Sequence, residues 1–262
     1  MTADRFITLA VLAGFSVLIT SCGKDDNDDV ISINEVSVGI ERIMTIQDGD
    51  TIYVDAVDLG LPSELLWATC NLGAFQPSET GNYYAWGETA VKQKYSYDTY
   101  LHCLGDDFNF IKYVKKDPSG KRQERLAPGY ECDNKTKLDS IDNAASAVYG
   151  GNWFMPTKRD FEELIYRTTR KYGKLNGVPG ILFTSNVPGY QDRSIFFPLS
   201  GRKDYEKVYN EGLYGFYWAS TLYSMTEADI LWLDYKVGVP NVSTDTRERS
   251  LGLPVRPITY RE

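Results

Sequence analysis

Basic charge, histidine and long apolar runs are scarce in this sequence, and each scarcity removes a class of function. Its 262 residues include 28 Lys and Arg against 36 Asp and Glu, a formal net charge of −8. Such a balance offers no basic surface to neutralise phosphates and release counterions, which argues against nucleic acid as a partner. The one histidine, His102, cannot build a multi-histidine metal centre, although it could serve a single Ser–His or Cys–His pair. Neither standard Gly-rich phosphate loop occurs. The longest apolar run, Phe6 to Ile19, has 14 residues, short for crossing a bilayer. Tyrosine, by contrast, is plentiful: 19 Tyr accompany 11 Phe and 5 Trp. That many rings exclude disorder over most of the length, and a chain of this size buries a sizeable core without covalent staples.

The run 6–19 fits the hydrophobic region of a signal peptide. Directly behind it, Ile19-Thr20-Ser21-Cys22 resembles a bacterial lipobox, in which the cysteine is acylated and becomes residue one after cleavage. Residues 1–21 then read as a lipoprotein signal peptide and Cys22 as the lipidation site. Acyl chains contribute about 0.8 kcal/mol per buried CH₂, so a multi-chain anchor is effectively permanent. Next comes Gly23-Lys24-Asp25-Asp26-Asn27-Asp28-Asp29, whose crowded aspartates repel one another and bury nothing. It is similar to the acidic tag that sends Bacteroidetes lipoproteins to the outer face of the outer membrane. Residues 22–47 accordingly read as an acidic flexible tether with a short N-terminal strand, and 48–262 as one domain.

Within the body, Thr51–Val54, Leu65–Ala68 and Tyr83–Trp86 carry strand signals, and residues 101–138 are polar and loop-like. Ile141, Ala144, Ala145, Val148 and Tyr149 share one helical face, with Asp139 or Ser140 as the cap and Gly150-Gly151 as the stop. A second helix is expected after Thr157, with Asp160 completing a capping box. Strands return at Ile181–Thr184, Ser194–Phe197, Gly215–Ser220 and Ile230–Tyr235, and around Val255–Ile258. Strands, then two helices, then strands without βαβ alternation predict an α+β fold with antiparallel pairing and long loops.

Several strings carry a resemblance. Asp58-Leu59-Gly60-Leu61-Pro62-Ser63, Leu66-Trp67-Ala68-Thr69-Cys70-Asn71-Leu72-Gly73, Tyr83-Tyr84-Ala85-Trp86-Gly87-Glu88-Thr89, Gly150-Gly151-Asn152-Trp153-Phe154-Met155-Pro156-Thr157, Tyr214-Gly215-Phe216-Tyr217-Trp218-Ala219-Ser220 and Pro254-Val255-Arg256-Pro257-Ile258 resemble, in order, the Fibrobacter succinogenes major paralogous domain family. The resemblance spans about residues 53–258 and implies a C-type-lectin-like fold and a bacterial surface location. The sequence departs from the family pattern at Asn143, where an aspartate is usual, at Val114, often a cysteine, and at Glu64, usually a glycine. These departures weaken any transfer of a metal site or a disulfide.

No short pattern singles out a catalytic residue. A glycosidase needs two carboxylates facing a cleft, and Glu162-Glu163 reads more simply as a solvated helix face. The Glu-Pro-Asn and Gln-Pro-Asp strings of calcium-dependent sugar-binding lectins are absent, and Asp139 and Asp142 read as capping groups rather than metal ligands. Neither a metal nor a cofactor is expected. Cys70 reads as core. Cys103 and Cys132 could form a disulfide across the long loop, or remain free thiols. Tyr205, Tyr209, Tyr214, Tyr217, Trp218 and Tyr223 crowd one stretch. Flat rings with a polar edge stack on sugars and line interfaces, so these six are the candidate ligand-binding residues. The expectation is a lipid-anchored, exterior-facing outer-membrane protein with a noncatalytic binding or adhesion domain for a glycan or a surface protein. A structural subunit of a fimbria or outer-membrane complex is the alternative, and a glycan-acting enzyme ranks third.

Overall fold

The computed structural model describes residues 30–47, 49–121, 123–236 and 238–261. The expected signal peptide, Cys22 and the acidic run lie outside these residues. Among the described residues, no helix is long and apolar enough to cross a membrane.

The architecture is α+β, dominated by antiparallel sheets. The first sheet has the order β1 (Ile40–Gln47), β2 (Asp50–Asp58), β3 (Leu65–Ala68) and β12 (Ile258–Tyr260), so the end of the body returns beside its beginning. A meander of β4 (Thr168–Leu175), β5 (Val178–Ser185) and β6 (Ser194–Pro198) forms the second. The third places β10 (Glu227–Lys236) between β9 (Tyr214–Leu222) and β11 (Val239–Glu248), and β7 (Arg202–Asp204) pairs with β8 (Lys207–Tyr209) as a separate hairpin. Two helices, α1 (Ala144–Tyr149) and α2 (Lys158–Tyr166), lie between β3 and β4 in the chain.

The near-continuous apolar runs of β5 and β9 follow from burial on both faces. On β5, Ile181 and Phe183 enter the main core with Trp67, Phe161 and Tyr217. Leu182 points the other way and packs with Phe196, Leu175, Ile31 and Val36. The stretch expected to be a tether therefore covers a sheet face from Ile31 onward, and a boundary at residue 48 falls inside the β1–β2 hairpin. On β9, Tyr217 and Ala219 face the main core, while Phe216 and Trp218 face a second core built from Leu72, Trp86, Tyr113 and α1.

Both helix starts are set by side-chain caps. Thr157 accepts from the Asp160 N–H while Asp160 accepts from the Thr157 N–H, the expected capping box, and Phe161 and Leu164 are buried. The first helix begins later than the apolar spacing implies. Asn143 Oδ1 accepts from the N–H groups of Ala145, Ser146 and Met155 at 3.0–3.4 Å. Residues 140–142 form a separate 3₁₀ turn, and Ile141 is 76% exposed. Asp139 and Ser140 are thus not the cap. Gly150, at φ +64°, ends α1 where a Cβ would lie 2.4 Å from the Ile46 carbonyl oxygen.

The predicted strand at 83–86 is reduced to one bridge between Tyr84 and Leu253. Around it, a long segment with little regular structure must satisfy its carbonyls by other means. Two fully buried arginines supply donors, one to this irregular backbone and one to the end of β3 and to β6. Arg249 donates to the carbonyls of Met225, Tyr113 and Lys112 and to the Tyr100 hydroxyl, with Trp86 and Phe110 rings at 4.9 and 4.8 Å. Arg256 donates to the Ala68, Thr69 and Phe196 carbonyls and to Asn71 Oδ1. A rigid fork of five N–H groups suits this task as no other side chain does.

Candidate functional site

The β7–β8 hairpin turns through Tyr205, whose φ is +51°. A left-handed conformation costs a residue with a Cβ roughly 1–2 kcal/mol. Two backbone hydrogen bonds with Tyr95 impose it: Tyr95 N to Tyr205 O at 2.9 Å and Tyr205 N to Tyr95 O at 2.8 Å. Tyr95 is itself buried and leaves no space for a Cβ at Gly252, which would sit 2.8 Å from its ring. The Tyr205 ring is 60% exposed, with Lys94 Nζ 5.3 Å from its centroid. Lys94 is paired with Asp98, which also accepts from Ser96.

Tyr205 borders the first of three adjoining depressions. That one, about 350 Å³, is lined in part by Lys94, Tyr97, Asp98, Asp204 and Glu248. The next, about 400 Å³, shares Asp204 and Glu248 and adds Arg202, Glu227 and Arg247. The third, about 360 Å³, shares Arg202 and Arg247 and adds Tyr214, Phe216 and Trp232. The shared walls make one groove.

At one end, three rings lie nearly parallel and laterally displaced: Tyr214–Phe216 at 6.0 Å and 23°, Tyr214–Trp232 at 6.3 Å and 17°. Strand pairing produces this tile, because Trp232 sits opposite Phe216 on β9. The Arg247 guanidinium lies 4.9 Å over Phe216 and is held by Asp245 and the Thr246 carbonyl. Toward the centre, burial and then the neighbouring Asp204, Glu227 and Asp107 push the Glu248 carboxyl upward. The groove thus combines flat apolar patches with carboxylates and guanidinium groups, of which Arg247 is held in place.

Of the six tyrosine and tryptophan candidates, the structure brings Tyr205 and Tyr214 into the groove. Tyr209 is exposed on β8, opposite Arg202, and Tyr223 is exposed in the β9–β10 turn. Tyr217 and Trp218 are corrected: both are completely buried, their polar atoms donating to the carbonyls of Pro198 and Tyr84. Alternation on a half-exposed strand leaves one of them free, but β9 has a core on each side. Tyr97, Arg202, Asp204, Trp232, Arg247 and Glu248 were not foreseen. Trp232, between Leu231 and Leu233 of the main core, carried a sequence signal through its alternation.

Cys70, Cys103, Cys132, His102 and Asp142 are held by packing and hydrogen bonds outside the lining of the groove. Cys103 and Cys132 are free and pack in one apolar cluster, which corrects the possible bridge. The Cys103 thiol instead donates to the Tyr97 and Tyr100 carbonyls, and burial pushes its pKa up. Burial does the same to Cys70. His102 is buried edge-on between Tyr100 and Tyr113, 2.8 Å from the Gly87 carbonyl through Nε2. Burial lowers its pKa to about 4, so the imidazole is neutral at pH 7 and Nε2–H is the donor. Asp142 is bound by Lys112 and Tyr113, which with desolvation set its environment. Among the described residues, no group of three or more His, Cys, Asp or Glu side chains is placed to hold a metal.

Compared with family models, curated proteins and solved structures, the chain finds no match in any of the three.

Proposed function

We propose that this protein is a lipid-anchored, exterior-facing outer-membrane protein whose body is a noncatalytic glycan-binding module, with the groove beside Tyr205 as its site. Tyr205 carries the reading. An exposed tyrosine in a backbone conformation that glycine adopts without strain is a strained position of the kind that clusters at ligand sites. The parallel rings of Tyr214 and Trp232 offer a further surface for the apolar faces of sugars. Asp204, Arg202 and Arg247 offer planar, two-pronged groups for adjacent hydroxyls. The lipobox-like string ending at Cys22 and the acidic run behind it support the anchor and its outward address. The ordered strings over residues 53–258 and the pairing of antiparallel sheets with two helices and long irregular segments support a C-type-lectin-like member of the Fibrobacter succinogenes major paralogous domain family.

The test is a glycan array probed with the full chain carrying Cys22→Ser. Retention on one or more glycans, lost in Tyr214→Ala while the circular dichroism spectrum is unchanged, is the expected result. A protein that binds no glycan but copurifies with fixed partners from its own cells overturns the reading in favour of a structural subunit.

A further inference from the structure

Toward its turn the β1–β2 hairpin has one face in the core and one face bare, while at its open end Val57, opposite Ile40, turns into the main core. Ile43, Ile52 and Val54 pack toward Trp153 and Tyr149. On the other face, Ile40, Met44 and Ile46 alternate along β1 and are exposed, with exposed Tyr53 directly opposite Met44. The charges on this face cancel: Arg42 donates to both Asp55 oxygens at 2.8 and 3.1 Å. Beside the hairpin lies a depression of about 480 Å³ walled by Ile40, Tyr53, Val54 and Tyr149, with Phe75, 93% exposed, among its lining.

We propose that this apolar face docks on the surface of the lipid bilayer that holds the acyl anchor. The inference rests on the acylation of Cys22 proposed above, and the reach of the chain supplies the occupant. Cys22 precedes Val30 by eight residues (30 − 22), which span at most about 29 Å whatever path they take. A domain of this length has a radius of gyration of about 17 Å, hence a diameter of about 45 Å. The tether is shorter than the body is wide, so the side bearing Val30 is held toward the membrane. Val36, Ser37 and Ile40, close behind in the chain, already line the depression. Tyrosine, phenylalanine and methionine or isoleucine side chains on one surface are the complement an interfacial contact uses. The tyrosine groove is built from other elements, the segment 94–98 and β7 to β11, and stays available to a ligand.

The experiment uses the mature chain from residue 22 with Cys22→Ser, which lacks both the acyl chains and the apolar run 6–19, and vesicles of phosphatidylcholine, so that any binding belongs to the body. Cosedimentation that persists at high salt is expected, together with quenching of a Tyr53→Trp reporter by brominated phosphatidylcholine. Phe75→Asp and Met44→Asp should each lower the bound fraction about tenfold or more, while Leu104→Asp, an exposed leucine on another loop, leaves it unchanged. Absence of cosedimentation, an equal loss in Leu104→Asp, or a lipid-free dimer abolished by Met44→Asp overturns the proposal. The anchor is read separately, from the mass of the acylated N-terminal peptide, so failure of the docking face and failure of the anchor are distinguishable.

Discussion

Acid should weaken this protein through His102 before it does so through carboxylates. A free imidazole titrates near 6.5, and burial lowers His102 to about 4. Arg249 and Lys112 add to the lowering, whereas the Gly87 carbonyl and Asp142 oppose it. Between these two values the unfolded chain binds a proton that the folded chain refuses. Stability from this group is therefore complete above pH 6.5 and is lost as pH falls toward 4. At about 1.36 kcal/mol per pH unit, the loss accumulates to about 3 kcal/mol, a large share of the ordinary 5–15 kcal/mol of net stability. The Asp142 carboxyl, also lowered, loses its contribution only at still lower pH. The perturbation is His102→Gln, whose amide can keep the donor to Gly87 but does not titrate. Urea unfolding followed by tryptophan fluorescence, at about pH 7 and about pH 4.5, reads the difference. Wild type should lose roughly 2–3 kcal/mol between the two, and the variant about 1 kcal/mol or less. Equal losses in both would refute the argument that this imidazole is buried neutral.

Three further outcomes follow from the geometry. Arg256→Met leaves the Ala68, Thr69 and Phe196 carbonyls and Asn71 without their donor, and should cost about 3–5 kcal/mol or prevent folding, measured by denaturant midpoint or soluble yield. Thr157→Ala removes the α2 cap and should cost about 1 kcal/mol, a fall of roughly 2–4 °C in Tm by calorimetry. Because Cys103 and Cys132 are free thiols, a reducing agent should leave Tm unchanged, and a drop of several degrees would expose a bridge.

How much was legible depended on whether the signal was local. β3 matches the apolar tetrad Leu65–Ala68, and Thr157 with Asp160 caps α2, because both patterns are complete within a few residues. β4 and β11 gave no signal, since an edge strand keeps one side toward solvent and β4 reads Thr-Thr-Arg-Lys-Tyr-Gly-Lys-Leu. The register of β9 against β10 and the irregular segment covering the far side of β9 are nonlocal, which is why Tyr217 and Trp218 looked half available. Ile31 and Val36 sit beyond a run of aspartates, and only the partner sheet reveals that they close a core. In the groove, Tyr205 and Tyr214 come from the tyrosine-rich stretch, whereas Arg202, Asp204, Arg247 and Glu248 come from separate strands that only the fold unites.

The central claim, that Tyr205 is strained for the sake of a ligand, meets its most direct test in paired substitutions at that position. Tyr205→Ala and Tyr205→Gly both remove the ring, but only glycine relieves the left-handed backbone. After the larger unfolded-state entropy of glycine is subtracted, the glycine variant should be about 0.5–1 kcal/mol more stable than the alanine variant. Both should lose glycan retention about tenfold or more relative to wild type. Equal stability of the two variants, or glycan retention undiminished in Tyr205→Gly, would contradict the account.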